Sequence, residues 1–359
     1  MGDLKKWKDP AHTPELRVMM VDQHKLMSET GQLEGVTKCS ITTGYYSNNR
    51  ISASLETVDD NYAAHRWIRV YVDDEAVGTF GVESVQISQA PEGSIKRTYS
   101  LQSVLWMLDG DVSFGGWTLA KGVRYSDAIR KLCGQRGKDV IFMPGAMDGQ
   151  TGGSVYYERT ETYRSILSDL CHSGGNRLDV DGMGRIVVAL YATPSERHSD
   201  WYLDPEENRS IVLDPGWSET DSSGQAYNRS VMIAQQSDKD GNQHTIIADH
   251  KAPASLDISY EKTGWYRTAV HQESSLSPFS QKAAEAKVKS YLTEDWSIGR
   301  TRNCTCMYFP CRAGDIIHWQ EGDSYKMYLV QTADFDLSAW TVRLTLKLAK
   351  EAVETDGSD

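Results

Sequence analysis

The chain has 359 residues, with 38 Lys or Arg against 50 Asp or Glu, and its formal net charge is −12. This acid excess argues against a nucleic-acid-binding protein, because binding the phosphate backbone requires clustered Lys and Arg. No apolar run approaches the ~18–20 residues that cross a bilayer, and the polar start from Met1 to Lys6 lacks the apolar segment of a signal peptide.

The N-terminal part of the chain predicts a flexible arm followed by a β domain. Residues 1–15 are polar and form the expected arm. Ile51, Ala53 and Leu55 then alternate with polar residues, as in a half-buried strand. The expected strands are residues 16–21, 36–43, 50–58, 67–72, 77–89 and 96–101. Short strands separated by polar turns predict a small barrel or sandwich over residues 16–104.

The next segment predicts an α+β domain over residues 105–203. Residues 125–133 and 162–171 have the apolar periodicity of helices, and strands are expected at 176–180 and 185–191. Between these strands, Asp179 and Asp181 followed by Gly182 resemble a calcium loop. The twelfth position should be a bidentate Glu and is Leu190. We therefore predict a hairpin whose Asp-Gly pair forms the turn.

The remainder predicts further strands, one helix and a final meander. Strands are expected at residues 228–236, 244–248 and 265–271, and an amphipathic helix at 279–292. The closing strands are expected at 300–308, 316–319, 325–332 and 340–348. Pro310 ends the first of them because proline has no amide to donate, and Gly314-Asp315 turns the chain.

Six cysteines are spread too widely for a disulfide framework, which indicates reduced thiols and a cytoplasmic origin. Cys304, Cys306 and Cys311 form the one candidate metal cluster, with His318 as the nearest further ligand. A zinc site usually needs four ligands, with close pairs such as C-x2-C. We therefore interpret the three cysteines as small apolar side chains and predict no metal ligand.

The motifs that usually carry catalysis are absent from the sequence. The nine histidines form neither His-x-x-x-His nor His-Glu-x-x-His, and no Gly-x-Ser-x-Gly is present. The glycine-rich stretch 145–153 lacks the Gly-Lys-Ser/Thr ending of a phosphate loop and is interpreted as a flexible loop. We predict that the chain is not an enzyme, and we assign no catalytic residue, no cofactor-binding residue and no cofactor.

Four groups of segments together resemble the bacteriophage tail hub proteins. This family includes the central baseplate hub of contractile tails and the N-terminal hub part of tail-associated lysozymes and siphophage tail-tip proteins. The segments are the strand pattern at 51–55, 67–71, 77–80 and 82–87, the helix and hairpin at 162–171, 178–181 and 184–186, the strand Tyr227-Asn228-Arg229-Ser230-Val231-Met232-Ile233, and the closing elements at 283–292, 310, 314–317, 325–330 and 341–348. Their order carries the resemblance, which spans about residues 16–348.

The resemblance implies a mainly β fold with α+β inserts, arranged as two tube-like β-barrels plus two smaller domains. The implied units are a flexible arm (1–15), a first barrel (16–104), an α+β domain (105–203), a second barrel (204–237 with 298–348), an inserted domain with a helix (238–297) and an acidic tail (349–359). The family has no shared catalytic residues to map onto this chain.

The function implied by the resemblance is a structural hub of a phage tail tip or baseplate. Such a hub lies in the virion and is assembled in the host bacterial cytoplasm. Three chains with two barrels each would form a homotrimeric ring, which joins the hexameric tail tube or a distal tail protein ring to a central spike or fibre. DNA and the tape-measure protein would pass through its channel without sequence-specific binding. An acid-lined lumen would help that passage, although acids facing solvent explain the charge equally well.

Two other interpretations stay open at the level of sequence. One is a carbohydrate-binding or cell-wall-hydrolysing β protein, and the other is the hub of a phage-derived injection apparatus. In tail-associated lysozymes a hydrolase follows the hub, whereas only residues 349–359 follow the last expected strand here. We therefore expect no lytic activity from this polypeptide, unless a longer natural chain carries a hydrolase.

Overall fold

The chain is built mainly of β-strands, which confirms the expected fold class. The computed structural model describes residues 4–354 except for 10, 23–24, 62–66, 90, 112–115, 193, 195–196, 208–210, 222–225, 238–242, 255–257, 274–279 and 297–299. Within these ranges no helix is long and apolar enough to cross a membrane.

The helices are short, and the strands range from three residues to fifteen. The helices are α1 (Lys5–Lys8), α2 (Val104–Asp109), α3 (Tyr125–Gln135), α4 (Tyr163–Ser173), α5 (Tyr260–Thr263) and α6 (Gln281–Trp296). The strands are β1 (Leu16–Val21), β2 (Glu29–Gln32), β3 (Val36–Gly44), β4 (Ile51–Val58), β5 (Trp67–Val72), β6 (Glu75–Gln89), β7 (Ile95–Gln102), β8 (Trp117–Leu119), β9 (Val140–Phe142), β10 (Val155–Tyr157), β11 (Asn176–Val180), β12 (Ile186–Leu190), β13 (Trp201–Leu203), β14 (Val212–Asp221), β15 (Arg229–Ser237), β16 (Gln243–Lys251), β17 (Thr268–Glu273), β18 (Arg300–Met307), β19 (Ile316–Glu321), β20 (Ser324–Asp336) and β21 (Thr341–Glu354).

One large sheet of 13 strands dominates the molecule. Its main path runs β14-β18-β21-β20-β3-β4-β7-β6-β5-β1-β2, with β19 paired to β20 and β13 paired to β19. We call β1 to β7 the first section, and β13, β14 and β18 to β21 the second section. All the pairings are antiparallel except that between β13 and β19.

Strand β20 joins the two sections because it changes neighbours along one edge. The edge pairs with β19 as far as Leu329 and with β3 from Thr332 onward. Between these ladders the Tyr45 amide donates to the Gln331 carbonyl over 2.9 Å. The register with β21 shifts between Val330 and Thr332, so the strand is irregular where it exchanges one partner for the other.

The first section curls until its edges approach each other. The Leu33 amide donates to the Val18 carbonyl in β1, and the Gly35 carbonyl accepts from the Val58 amide in β4, each over 2.8 Å. Three strands lie between β1 and β4 in the sheet order, so this contact requires a strongly coiled sheet. Gly35 has a φ of +70°, and a Cβ there would lie 2.1 Å from the Val58 carbonyl oxygen. The close contact between Gly35 and β4 therefore requires glycine.

The second section also curls, around the buried side chain of Arg302 in β18. Trp217 of β14 and Trp319 of β19 approach with ring centroids 6.4 Å apart, although β18, β21 and β20 separate their strands in the sheet. Arg302 is 1% exposed and contacts both rings. This section therefore surrounds a core that contains a charge.

Two separate barrels were expected, and the structure has two curled sections of a single sheet. In the part of the chain that is described, no ladder closes either section into a complete ring. Both sections contribute to one apolar core, which contains Phe80 and Tyr99 from the first and Trp319 and Tyr328 from the second. Alternation along a strand predicts which face is buried but not which strand lies beside it, so the shared sheet was missed.

The α+β unit lies against the first section. Its core combines α2, α3 and α4 with the sheet β11-β12-β9, in which β9 is parallel to β12, and includes Trp67 of β5. The two predicted helices are confirmed as α3 and α4. At the start of α4 the Thr162 hydroxyl accepts from the Ser165 amide over 3.1 Å, an N-cap that satisfies one of the free amides of the first turn.

A third unit consists of the sheet β16-β15-β17 covered on one face by α6. Met232 and Ala234 of β15 pack with Ala284 and Val288 of α6. This arrangement corrects the expected boundary, which had placed residues 204–237 in the second barrel. Strand β15 belongs to the third unit, because its alternate side chains fit the helix. The expected helix begins at Gln281 in the structure, and Phe279 lies outside the described residues.

Three further boundaries differ from expectation. The arm contains α1, and Trp7 packs edge-on against Tyr308 with centroids 5.0 Å apart, so this part of 1–15 is attached to the large sheet. Strand β13 was expected in the α+β domain but pairs with β19. Strand β21 continues to Glu354, into the predicted acidic tail at 349–359, whose last residues, 355–359, are outside the described part.

Candidate assembly surfaces and buried polar clusters

The β11–β12 hairpin, whose turn resembles a calcium loop in sequence, connects the α+β unit to the first section. Its turn places the Gly182 carbonyl 2.8 Å from the Thr79 hydroxyl, which donates to it. The buried Arg69 side chain donates to the Met183 carbonyl over 3.2 Å and to the Thr79 oxygen over 2.8 Å. The Asp181 carboxylate accepts from Arg185, both from its amide over 2.8 Å and from its guanidinium over 2.6 Å.

Gly182 allows this close approach. A Cβ at that position would lie 1.7 Å from the Ala76 carbonyl oxygen in β6, a separation that no side chain can adopt. Because the turn carbonyls accept hydrogen bonds from the Thr79 hydroxyl and the Arg69 guanidinium, the contact is polar and directional. The Asp-Gly pair therefore serves both the turn and the docking of one unit on another.

The charged centre of the second section is Arg302. Its Nη2 lies 2.7 Å from Glu219 in β14 and 2.6 Å from Glu321 in β19. The guanidinium carbon lies 3.8 Å from the ring centroid of Trp217 and 4.8 Å from that of Tyr328. Two carboxylates and stacked rings offset the cost of burying one cation, and they hold β14 to β19 where no ladder does.

Ion pairing also changes the acidity of this cluster. Burial by itself raises the pKa of Glu321, but its ion pairs with Lys326 and Arg302 outweigh burial and hold that pKa below the usual 4.5. The carboxylate is therefore ionised in the folded protein at neutral pH. The Tyr328 hydroxyl lies 3.1 Å from Glu219, and burial is the main reason that its pKa is raised above the ordinary value for tyrosine.

The structure brings the three candidate cysteines together but separates them from His318. Cys304, Cys306 and Cys311 all lie in the apolar core of the large sheet, and the first two sulfur atoms are 3.9 Å apart. Burial raises the pKa of Cys311, and the neighbouring Cys304 thiol together with burial raises that of Cys306, so both stay protonated. His318 projects from the other face of β19 and stacks on Tyr325 at 3.9 Å.

The turn before β19 has a structural role. Gly314 has a φ of +99°, a conformation that favours glycine. The Asp315 carboxylate accepts from the Trp201 indole and from the Arg312 amide, each over 2.8 Å. Burial raises the pKa of this carboxyl in spite of those donors. The turn thus attaches β13 to the start of β19.

The third unit exposes one face of its sheet. On the side away from α6 lie Val231 and Ile233 of β15, Ile247 of β16 and Val270 of β17, and we call these four residues the aliphatic face. Ile247 is 60% exposed and Val270 is 59% exposed. Ile233 lies opposite Ile247, and Val231 lies beside Val270, so the four side chains are adjacent. An apolar sheet face of this kind is typical of a protein contact surface.

Sequence reasoning missed both Arg302 and the aliphatic face. Arg302 occupies one position in an alternating strand, and its partners Glu219 and Glu321 are remote in sequence. Val231, Met232 and Ile233 are consecutive apolar residues, so both faces of this strand carry apolar side chains. Such a pattern is typical of a strand covered on both faces. In the third unit, α6 covers only the face that carries Met232.

No protein-family model matches the chain, and no curated protein has significant sequence similarity to it. Solved structures are nevertheless similar. A tail protein from Neisseria meningitidis is 15% identical, with 93% of this chain and 96% of that chain covered and a TM-score of 0.67. The 43 kDa tail protein of prophage MuSo2 from Shewanella oneidensis is 16% identical, with 93% and 98% covered and a TM-score of 0.66.

A third structure comes from a secretion machine. An E. coli component of the type VI secretion system is 11% identical, with 94% of this chain and 77% of that chain covered and a TM-score of 0.50. That protein is described as structurally similar to the bacteriophage T4 tail proteins gp27 and gp5. The chain therefore has the fold of these phage tail proteins, as the sequence resemblance predicted.

Proposed function

We propose that this chain is a structural hub of a phage tail tip or baseplate. The observation that carries the proposal is the agreement of its fold with two tail proteins over 93% of this chain. Fold alone does not define function, so the contacts of the molecule must support the same role. Its polar clusters join one unit to another, as expected of a component that has to withstand mechanical load.

The proposal includes the absence of catalysis. Asp181, Glu219 and Glu321 are engaged in ion pairs, the clustered cysteines are buried, and the pKa values of Cys306 and Cys311 are raised. Among the described residues, no group of three or more His, Cys, Asp or Glu side chains is arranged to hold a metal ion. These observations favour a structural role over the carbohydrate-binding or cell-wall-hydrolysing alternative.

We infer that the working form is a homotrimer. Each chain supplies two curled sections, so three chains would supply six, which matches a hexameric tail tube above and a trimeric spike or fibre below. In this arrangement the aliphatic face of the third unit is a contact with the neighbouring protomer. The expected domain division is retained in the proposal, with β15 transferred to the inserted domain and β13 to the second section.

The remaining partners follow from the ring. The tail tube or a distal tail protein ring would bind one side and the spike or fibre the other, while DNA and the tape-measure protein pass through the channel. The acid excess, −12 per chain, favours passage of DNA without retention. The proposed location is the virion, after assembly in the host bacterial cytoplasm.

The test is the oligomeric state of the purified chain, measured by light scattering and negative-stain microscopy with and without its tail-tube partner. We expect a ring of three with a central hole. Ile247→Asp and Val270→Asp place charges on the aliphatic face and should give folded monomers. Leu190→Asp is a matched control, because Leu190 is 42% exposed on β12 and distant in sequence from that face.

A compact monomer at high concentration, both alone and with the tube protein, would contradict the hub. If Leu190→Asp dissociates the ring as readily as Ile247→Asp does, the aliphatic face is not the contact. Cleavage of bacterial walls in a zymogram would instead favour the hydrolytic alternative.

A second structural role is favoured by the likeness to the type VI secretion component. The same hub design could serve a phage-derived injection apparatus. Neighbouring genes distinguish the two roles, since capsid and terminase genes accompany a phage tail, whereas effector and sheath genes without a capsid accompany an injection machine.

A further inference from the structure

A cleft containing several arginines lies where the first section meets the α+β unit. A cavity of about 440 Å³ is lined by Tyr46, Arg50, Arg164, His172 and Arg177, among others. A second cavity of about 240 Å³ shares Arg50 and Arg177 with it. These two arginines therefore face both cavities.

The guanidinium group of Arg177 is not neutralised within the described part of the chain. It forms no ion pair or side-chain hydrogen bond there, and its buried Nε has no partner. An unpaired buried donor is costly, and one that carries charge is more so. Its guanidinium lies beside the turn before β19, since a Cβ on Gly314 would lie 3.2 Å from the Arg177 Nη1.

Arg50 is similarly without a carboxylate at ion-pair distance among the described residues, and its Nε donates to the Leu178 carbonyl over 3.1 Å. Burial lowers the pKa of Arg50, and the charges of Arg177 and Arg164 lower it further, while Asp179 opposes the shift. Its φ of +60° is uncommon for a residue with a side chain. Strained backbone of this kind often occurs at ligand sites.

The other charges around the larger cavity do not neutralise the two arginines. Arg164 is paired with Asp109 at 2.9 Å. Asp169 accepts from the Tyr157 hydroxyl over 2.7 Å. The Tyr46 hydroxyl, which lines this cavity, accepts a hydrogen bond from the Lys347 ammonium over 2.9 Å. The larger cavity is therefore lined by three arginines and one aspartate, whereas Asp179, Asp181 and Asp315 line the second cavity. The larger cavity is the cationic one, in a chain whose net charge is −12.

We propose that Arg50 and Arg177 form an oxyanion-binding site that takes a phosphate or carboxylate group. The planar donor fork of a guanidinium matches both groups, and two such forks converging on one cavity can hold one anion between them. The anion would supply the negative charge that the two arginines lack. Because Arg50 lies in the β3–β4 turn and Arg177 lies in β11, the anion would link these two elements. Its source is either a free ion or a carboxylate presented by another molecule.

This inference is independent of the hub function. It predicts that the isolated chain binds a single oxyanion per polypeptide. Because a ligand that binds only the folded state stabilises it, phosphate should raise the melting temperature at constant ionic strength relative to chloride.

The test is isothermal titration calorimetry with inorganic phosphate and, separately, with citrate as the carboxylate probe, together with thermal melts in each anion. We expect saturable binding of at least one probe by the wild-type chain. Arg177→Gln and Arg50→Gln should each weaken binding about tenfold or more, since a charged hydrogen bond is lost. Arg343→Gln is the matched control, because Arg343 is exposed on β21 and should leave binding unchanged.

Arg177→Lys keeps the charge but loses the fork, so it should bind more weakly than wild type and more tightly than Arg177→Gln. Absence of saturable binding of both probes to the wild-type chain overturns the proposal, and that measurement does not require any variant to fold. Equal affinity in wild type and a folded Arg177→Gln variant overturns it as well.

Discussion

Single buried arginines connect elements that the backbone ladders leave apart. Arg302 bridges Glu219 and Glu321 across the curled second section, and Arg69 joins the first section to the hairpin turn at Met183. The net stabilisation from such a buried charge is smaller than its attraction to the carboxylates, because desolvation offsets much of that attraction. Removing the arginine, however, leaves the carboxylates of Glu219 and Glu321 without their buried counter-charge.

We predict that Arg302→Gln lowers the free energy of unfolding by about 2–4 kcal/mol, below the upper range for a fully buried pair because both glutamates are about a quarter exposed. Urea unfolding of the full chain measures this loss. Arg343→Gln, at an exposed position on β21, should change stability by less than about 0.5 kcal/mol. A loss of the same small size in Arg302→Gln would show that the cluster is not stabilising.

Acid should weaken the same cluster through Glu321. The pKa of this carboxyl is lowered in the folded state from 4.5, so its contribution is present above that pH and is lost as the pH falls through the lower folded value. We expect the stability difference between wild type and Glu321→Gln to be full at pH 7 and to shrink below pH ~4.5. Urea midpoints at several pH values measure it, and a difference independent of pH would contradict the assignment.

At the scale of elements, close backbone approach decides how the units meet. The β11–β12 turn reaches the Thr79 hydroxyl and the Ala76 carbonyl because Gly182 has no side chain. The β20 strand exchanges β19 for β3 at the register shift between Val330 and Thr332. Both contacts depend on local backbone geometry, and each joins units that are distant in sequence.

Gly182→Ala should separate the α+β unit from the first section and lower the free energy of unfolding by about 2–4 kcal/mol, because the added methyl group cannot occupy the space of the Ala76 carbonyl. Gly134→Ala is the matched control. Gly134 lies in α3 with no atom within 4 Å of its Cβ position, so alanine there should stabilise by about 0.5–1 kcal/mol. Thermal and urea unfolding of both variants would test the contrast, and similar effects would refute it.

At the scale of the whole molecule, stability should be unevenly distributed. The large sheet has one extended core with several aromatic rings, whereas the described core of the third unit consists of Met232 and small side chains such as Ala234 and Ala248. Small side chains bury less apolar area, so the described part of the third unit's core gains less from burial. A unit with one exposed apolar face also has more to gain from a neighbour.

We predict that the amides of β15 exchange with solvent faster than those of β4 in the isolated chain, because the third unit opens at a lower free energy. Hydrogen exchange followed by mass spectrometry measures both strands in one experiment. In the assembled ring the difference in amide exchange rate between β15 and β4 should be smaller, because the aliphatic face is then covered. Equal protection of β15 and β4 in the monomer would argue against a separately opening unit.

The class of the fold, most of the strands and the helices α3 and α4 follow from local sequence patterns, because alternation, apolar periodicity and turn residues are local properties. The sequence also predicted that Gly314-Asp315 serves a turn, since both residues act through nearby backbone. The three-dimensional fold was needed to show that the two halves share one sheet and that β15 pairs with β16 and β17. It was also needed to show that Arg302 is buried and that the Arg177 Nε atom is buried without a hydrogen-bond partner among the described residues. Strand partners and the charges around a buried cation are distant in the chain, so no local pattern encodes them.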